Sequence, residues 1–433
     1  MKTFRPYEPD QMLLLPPSLS DWVPEDHLAR FVSDLVDTLD LSAIEDTYTE
    51  ERGFPPYHPC MMVKVLLYAY CTGTYASRRI ARQLQDSVAL RYLAAGNQPD
   101  FRTISDFRKH HLPALAGLFD QVLTICREAG MVKLGRVAVD GTKMKANASK
   151  HKAMSYERMR KKDKALKREI RELLDRAEAA DRDDDRRYGS GGGGENLPEE
   201  LARRDSRLKK IREARAALEA RARERAEAEG KDPEQAKPRP KDQHNFTDPE
   251  SRIQKTSSGY IQGYNAQLSA DAEWQVVVAQ HVTTNASDAR ELQPAVDAIK
   301  KTLRAKPKTI LADAGYWSEE NVKRLEDERI EAFIATRRKK HGEPRRVAPR
   351  GRAPKTLTLR ERMTRALSTV RGRKAYARRK AIVEPVFGQI KQARGFRQFL
   401  LRGLKQVEGE WALVTTAHNM LKLFTALELA RAR

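Results

Sequence analysis

The sequence predicts a mixed α/β sheet flanked by helices, preceded by an all-α domain and interrupted by a charged helical hairpin. Apolar, β-branched runs of strand length alternate with amphipathic helical patterns in the second half, whereas helical spacing dominates residues 1–130. Residues 156–240 are rich in Lys, Arg, Glu and Ala and hold few apolar positions. We therefore predict a helical domain over 1–130, a sheet domain over 131–155 and 241–433, and an insertion over 156–240.

The charge of the chain indicates a polyanionic partner. Its 433 residues carry a net charge of +22, with a pI of about 9.8. Nucleic acid is the commonest partner of so basic a protein. A ribosomal or chromatin-like packing protein shares the charge, but does not need the organised apolar strands described below.

The cysteines and apolar stretches favour a soluble protein of the cytoplasm. Cys60, Cys71 and Cys126 have no metal-type spacing and fit a reducing compartment. Residues 12–17 are too short for a signal peptide, and the most apolar stretch, 61–70, is interrupted and too short to cross a bilayer. We expect no contact with a membrane.

Helical periodicity and turn residues divide the N-terminal region into short helices. The predicted helices cover residues 27–39, 60–73, 77–84, 87–93, 103–110 and 112–129, and prolines make 53–59 a rigid turn. Basic side chains within 75–111 resemble a helix-turn-helix, with Thr103 as cap and 105–110 facing a DNA groove. The candidate DNA contacts are Arg78, Arg79, Arg108 and Lys109. Short basic helices also occur in ordinary helical domains, so both interpretations stay open.

The insertion reads as two charged helices joined at a glycine run, residues 191–194. An antiparallel helical hairpin is the simplest structure for this pattern. A phosphate-binding loop is excluded, because no strand precedes the glycines and no Gly-Lys-Ser/Thr follows them. A solvated spacer is a simpler role for the hairpin than a dedicated contact surface.

The second half alternates strands and helices. Strands are predicted at 265–270, 275–282, 309–312 and 330–335, and helices at 288–303, 318–329 and 410–429. Ser318 is the expected N-cap of its helix. Residues 337–380 hold eighteen Lys or Arg, and we expect a loop to about Pro354 and helix beyond.

Three acids follow these elements in an informative order. Val137, Ala138 and Val139 form an apolar run that predicts a buried strand with Asp140 at its exit, although an Asp-Gly hairpin turn is the alternative. Asp313 follows the strand 309–312, and Glu384 lies in a helical pattern. Each acid alone fits a turn or a surface position. Together, amid positive charge, they predict a site for Mg²⁺ or Mn²⁺ that cleaves phosphodiesters.

Four segments resemble the bacterial insertion-sequence transposases of the DDE class. They read G-F-P-P-Y-H-P with L-L-Y-A-Y-C-T-G, V-A-V-D-G-T-K, T-I-L-A-D-A-G-Y and I-V-E-P-V-F-G-Q-I-K. The resemblance implies a ribonuclease-H-like catalytic fold whose catalytic acids and metal ligands are Asp140, Asp313 and Glu384. It also implies two Mg²⁺ or Mn²⁺ ions, cutting at the element ends, and attack of the freed 3′-hydroxyl on target DNA.

The same resemblance implies partners and DNA contacts. The partners would be double-stranded DNA, both terminal inverted repeats and target, and a second copy of the chain in a nucleoid-associated homodimer. A tyrosine, an arginine and a lysine surround the family's glutamate; Tyr376 and Lys391 match, whereas spacing leaves Arg379 and Lys380 as alternatives for the arginine. Pro385 is unusual beside the glutamate, and predicts a helix start or a kink there.

Two other functional classes and several weaker candidates stay open. A transposase-derived DNA-binding protein without catalysis, or a structure-selective DNA nuclease, would share the charge and the fold. Asp248, Arg252 and residues 262–265 fit a supporting role at the site or simple turns, of which turns are the simpler. Tyr316 and Trp317 fit stacking on a frayed base as well as core packing.

Overall fold

A computed structural model describes residues 18–49, 55–188, 197–256, 259–338, 347–354 and 356–432. Within 176–188 and 197–201 it describes the backbone alone. The glycine tip of the insertion, the stretch 12–17 and part of the turn predicted at 53–59 lie outside these residues. No helix in the described ranges is long and apolar enough to cross a membrane.

The N-terminal region is helical, as predicted. Its helices are α1 (Leu28–Asp37), α2 (Ser42–Glu45), α3 (Pro59–Cys71), α4 (Ser77–Asp86), α5 (Val88–Leu93), α6 (Phe101–His110) and α7 (Leu112–Glu128). The predicted cap of α6 is wrong. Asp100, not Thr103, is the N-cap, and its side chain accepts a hydrogen bond from the Thr103 backbone N–H at 2.7 Å.

The rest of the chain builds a sheet, the insertion and further helices. In chain order these are β1 (Arg136–Lys145), β2 (Ala153–Ser155), α8 (Tyr156–Tyr188), α9 (Leu197–Ala228), β3 (Gln243–Asn245), β4 (Arg252–Thr256), β5 (Gly259–Asp271), β6 (Val277–Thr283), α10 (Leu292–Leu303), β7 (Thr309–Ala312), α11 (Glu319–Asp327), β8 (Glu331–Ile334), α12 (Leu359–Ser368), α13 (Val370–Gly388) and α14 (Leu404–Arg431). The mixed α/β class is confirmed.

The main sheet is antiparallel on one side of β1 and parallel on the other. The strand order is β4-β5-β1-β7-β8, and β6 also pairs with β5. β5 runs antiparallel to β1, β4 and β6, whereas β7 is parallel to β1 and β8 is parallel to β7. The short parallel strands β7 and β8 both end at the same edge of the sheet, which is the edge that carries the candidate site.

The predicted end of β1, at Asp140, differs from the observed one. Val137, Ala138 and Val139 are fully buried, as expected for a central strand. The strand does not end at Asp140, however, and the alternative hairpin turn is wrong too, because pairing with β5 continues to Lys145. Gly141 permits this continuation, since a Cβ there would lie 2.2 Å from Gln267 Nε2 on β5. Asp140 is therefore held inside a strand, on a rigid backbone.

The insertion is a pair of antiparallel helices, as predicted, with a small core of its own. Met159, Leu166, Leu208, Ile211 and Leu218 are buried between α8 and α9. Asp163, almost fully buried on α8, pairs with Arg212 and Arg215 on α9. These ion pairs fix the register of the two helices.

Helix α13 runs through Pro385 without a new start. A helix start at Pro385, one of the two predicted alternatives, is wrong, since the helix continues to Gly388 and is followed by a π-helical turn, Gln389–Ala393. Proline lacks the N–H that would bond the carbonyl of Ala381. The side-chain amide of Gln275 donates to that carbonyl instead, at 2.9 Å. Glu384 therefore lies in a helix interior, not at a helix start.

Helix α14 joins the N-terminal helices to the sheet. It packs against α7, α3 and β6, so the two halves of the chain share one apolar core. Trp411 is fully buried in this core, and its indole N–H donates to the backbone oxygen of Gln267 at 3.0 Å. The division of the chain at residue 130 stays a prediction.

Glu410 makes the stability of this core depend on pH. The carboxyl is fully buried and accepts hydrogen bonds from the backbone N–H groups of Leu400 (2.9 Å) and Leu401 (3.1 Å). Burial raises the pKa of Glu410 to about 7 from its ordinary value of 4.5, although these N–H groups and Arg108 oppose the rise. Between these two pH values the folded state keeps a proton that the unfolded chain releases. The contribution to stability therefore falls as the pH rises through this window and levels off above it.

We expect Glu410→Gln to remove this pH dependence. The free energy of unfolding of the variant, relative to wild type, should rise by up to about 3 kcal/mol between pH 4.5 and 7. Urea unfolding at both pH values measures the difference. The value at the lower pH is the internal control, because the carboxyl is then largely protonated in the folded protein. A difference that does not change with pH would contradict the assignment.

Candidate active site

Asp140 and Asp313 are neighbours at one edge of the sheet. Val139 pairs with Ala312 in the parallel register of β1 and β7, so the next residue of each strand is an aspartate. Asp313 ends β7 and caps the following turn, where its carboxylate accepts a hydrogen bond from the backbone N–H of Gly315 at 2.7 Å. The sheet thus brings together two of the three predicted acids.

Arg379 supplies the positive charge beside this pair. Its guanidinium Nη1 lies 2.8 Å from Asp140 Oδ2, and only 10% of the arginine side chain is exposed. Burial raises the pKa of Asp140 to about 6, Arg379 opposes the rise, and the charge of Asp313 adds to it. Burial and the neighbouring charge of Asp313 therefore both disfavour the charged form of Asp140.

The other residues predicted around the glutamate lie on α13 itself and in the turn that follows it. Tyr376 is half-buried against Arg379, and burial raises the pKa of its hydroxyl, which keeps it neutral. Lys391 lies in the π-helical turn after α13 and donates to Thr142 Oγ1 of β1 at 2.8 Å. Lys380 is exposed. Of the two alternatives for the arginine position, the structure brings Arg379 to the acids and leaves Lys380 on the surface.

Glu384 is the one predicted acid that does not join the site. Its side chain is exposed, on a flank of α13 away from the stripe formed by Arg379, Val383 and Val386 that faces the sheet. Among the described residues, no three acid, histidine or cysteine side chains are arranged to hold a metal ion together. The site is therefore a pair of aspartates clamped by an arginine, with the glutamate outside.

The two aspartates nevertheless fit a hard divalent cation. Both present carboxylate oxygens, the donors that Mg²⁺ and Mn²⁺ prefer. Burial, with the charge of Asp313, raises the pKa of Asp140, and a cation would favour the charged carboxylate as Arg379 does. The chemistry of the donors therefore matches the cation, and the arginine competes with it for Asp140.

Sequence reasoning missed a fourth acid at this edge. The sequence pattern places Asp288 at the start of a helix, but α10 begins only at Leu292 and Asp288 lies in the preceding loop. Lys143, Asn265 and Gln267 all donate to it. The one available signal was Asn265, in the segment 262–265. That segment is part of β5, so the turn that its sequence favours is wrong.

Two other candidates prove to be structural. Tyr316 is fully buried and bonds to Gln267, so it cannot stack on a base. Burial raises its pKa, and the charges of Asp288, Asp140 and Asp313 add to the effect. Asp248 is fully buried as well, and accepts a hydrogen bond from the hydroxyl of Tyr264 at 2.8 Å.

The predicted DNA contacts of the N-terminal region divide into exposed and buried residues. Arg78 and Arg79 are exposed on α4, and Lys109 is exposed on α6. Arg108 is buried, 4% exposed, and its guanidinium donates to Tyr70, to Ser77 and to a backbone oxygen. Because Arg108 is committed to the core, its predicted contact with DNA does not fit the structure.

Comparison with known families gives two matches. Residues 17–110 match the family model described as "Transposase domain (DUF772)", and residues 205–420 match the one described as "Transposase DDE domain". The second range includes Asp313, Glu384 and the whole of α13. The curated proteins and the solved structures yielded no match.

Proposed function

Because the chain belongs to the DDE-class transposases of insertion sequences, we propose that it cuts DNA at the ends of an insertion sequence and joins those ends to target DNA. The observation that carries this proposal is the pair Asp140 and Asp313, fixed side by side on two parallel strands with Arg379 against them. Two carboxylates and an arginine beside a basic surface suit phosphoryl transfer, which needs charge compensation at the phosphate.

The strand order supports a ribonuclease-H-like reading of the sheet. Antiparallel β6, β5 and β1 are followed by parallel β7 and β8, with helices on the sheet. In this reading the insertion, α8 with α9, interrupts the connection between β1 and β5. The first two catalytic acids then belong to the central strand and to its parallel neighbour, which are the positions of Asp140 and Asp313.

The reaction is proposed to have two steps. Water attacks the phosphorus at an element end, and the bond to the 3′-oxygen breaks to leave a free 3′-hydroxyl. That hydroxyl then attacks a phosphorus of target DNA, forms a new ester bond and displaces the target's own 3′-oxygen. Mg²⁺ or Mn²⁺, two ions in the proposal, would supply activation of the attacking oxygen and stabilisation of the leaving oxygen. Asp140 and Asp313 would hold them, and Glu384 would join these two acids in the complex with DNA.

The chain's own cations are proposed to orient the DNA. Arg379 stands beside the two aspartates, where its charge offsets part of the negative charge that a phosphate brings to the site. Tyr376 lies against Arg379, and Lys391 bonds Thr142, two residues beyond Asp140 on β1. The exposed Arg78, Arg79, Lys109 and Lys380 would contact DNA outside the reacting phosphate. A homodimer on the DNA is part of the proposal, because two ends must be joined.

The test is cleavage of DNA that carries the flanking inverted repeats, with Mg²⁺ or Mn²⁺, by the full chain and by Asp140→Ala and Asp313→Ala. We expect wild type to cut, and each variant to bind the ends in EDTA as wild type does but to lose cutting by at least about a thousandfold. Variants that cut like wild type would refute the site. Binding without any cutting by wild type would favour a DNA-binding protein, and cutting without strand transfer would favour a nuclease.

A further inference from the structure

The turn that ends α3 packs closely against the chain segment that follows α13. Gly73 lies in this turn with φ +76°, a conformation that glycine adopts without strain. A Cβ added at Gly73 would lie 2.6 Å from the backbone oxygen of Arg394, well inside the distance of about 3.5 Å that non-bonded atoms keep. The ring of Tyr75 packs edge-on against the ring of Phe396, with 4.9 Å between the ring centroids. The turn and the segment therefore meet at two points.

Arg394 closes the turn that carries Lys391. The lysine lies in the π-helical turn Gln389–Ala393, and the backbone N–H of Arg394 bonds to the oxygen of Gln389 at 3.0 Å. The side chain of Arg394 is anchored as well, because its Nη2 donates to Nδ1 of the buried His418 on α14 at 3.3 Å. The backbone position of Arg394 therefore determines the position of the whole turn, and with it the position of Lys391.

Lys391, held in this way, faces the candidate site. Its Nζ donates to Thr142 Oγ1 at 2.8 Å. Thr142 lies two residues beyond Asp140 on β1, and alternate residues of a strand share a face of the sheet. The ammonium group and the Asp140 carboxylate therefore lie on the same face, where a positive charge suits a phosphate that reacts at the acids.

The need for a left-handed turn does not by itself explain the contact at Gly73. Gly130 ends α7 in the same way, with φ +73°, yet among the described residues no non-neighbouring atom lies within 4 Å of a Cβ added there. Glycine at Gly130 meets one requirement, the backbone conformation after a helix. Glycine at Gly73 meets a second requirement as well, the close approach of Arg394.

We propose that Gly73 is a positioning residue for Lys391. Its missing side chain lets the turn after α3 approach the backbone of Arg394, and this contact holds Lys391 on the face of the sheet that carries Asp140. The inference rests on the proposed function and deepens it. It assigns a role at the site to the N-terminal segment L-L-Y-A-Y-C-T-G, whose last residue is Gly73.

The test measures single-turnover cutting of inverted-repeat DNA with Mn²⁺ and saturating protein, for the full chain and for Gly73→Ala, Lys391→Ala and the double variant. Gly73→Ala forces Arg394 to move by about 1 Å, and we expect cutting to slow at least about tenfold. Lys391→Ala should slow cutting about a hundredfold. Because Gly73 acts through Lys391, the double variant should cut as fast as Lys391→Ala, whereas independent effects would multiply.

Two further variants separate positioning from folding. Gly130→Ala introduces the same backbone strain without a clash, and should cut like wild type. Tyr75→Leu removes the ring contact with Phe396 and no hydrogen bond, because the Tyr75 hydroxyl has no partner among the described residues. It should slow cutting about threefold, and should have no effect in the Lys391→Ala background. Rates are compared at a temperature at which circular dichroism shows each variant folded, and Tyr75→Leu replaces Gly73→Ala in the comparison if the latter does not fold.

Several outcomes would overturn the inference and leave the proposed function intact, because wild type still cuts in each. They are wild-type cutting by Gly73→Ala or by Lys391→Ala, an equal loss in Gly130→Ala, and losses that multiply in the double variant. A wild type that does not cut would overturn both the inference and the proposed function.

Discussion

Replacing Glu384 with glutamine is expected to abolish end cleavage while leaving the folded protein as stable as before. Glu384 is exposed on α13 and does not join the two aspartates. The change should therefore alter the free energy of unfolding by no more than about 0.5 kcal/mol. In the proposed complex with DNA and divalent cation Glu384 joins the aspartates, so loss of this metal ligand removes several kcal/mol of transition-state stabilisation, and the cleavage rate falls about a thousandfold or more.

Loss of cleavage with unchanged stability would show that Glu384 serves catalysis and not folding. Cleavage of DNA with inverted repeats and urea unfolding of the free protein are the two measurements. Asp327→Asn, an exposed acid at the end of α11, is the control and should change neither. Cutting by Glu384→Gln at the wild-type rate would exclude Glu384 from catalysis, whatever its resemblance to the family pattern implies.

The sequence predicted that Asp140 and Asp313 directly follow buried strand residues, because local patterns determine these positions. Apolar runs before Asp140 and Asp313 are typical of buried strands, and neighbouring parallel strands bring their following residues together. The exact extent of β1 was not predictable, since it depends on pairing with β5 far along the chain. Gly141 resembles a turn residue in the sequence. In the structure, the absence of a side chain at Gly141 makes room for Gln267.

Residues whose role depends on long-range contacts were the ones misjudged. Arg108 belongs to a basic helix by its sequence, yet its guanidinium is buried and donates hydrogen bonds to Tyr70 and Ser77. Asp288 looked like a helix start, because no local pattern reveals donors that arrive from β1 and β5. Pro385 favoured a helix start or a kink by its sequence, but Gln275, from another part of the chain, donates to the carbonyl that Pro385 leaves without its helical partner.

The Arg379–Asp140 pair explains how the protein tolerates two adjacent acids. The arginine is nearly buried and its Nη1 lies 2.8 Å from Asp140, which the register places beside Asp313. Such a pair is costly to break from one side, because the remaining charge is left uncompensated. Arg379 therefore acts as the counter-ion of Asp140.

We accordingly expect Arg379→Met to lower the free energy of unfolding in EDTA by about 2–4 kcal/mol, from loss of a buried ion-pair partner. Saturating Mn²⁺ should restore much of this loss and stabilise the variant more than it stabilises wild type, because the cation replaces the missing positive charge. Urea unfolding with EDTA and with Mn²⁺ measures both effects. Arg371→Met removes an exposed ion pair with Glu331 from the same helix, and should cost less than about 1 kcal/mol under either condition. Equal stabilisation of wild type and Arg379→Met by Mn²⁺ would mean that the arginine and the cation do not compete for Asp140.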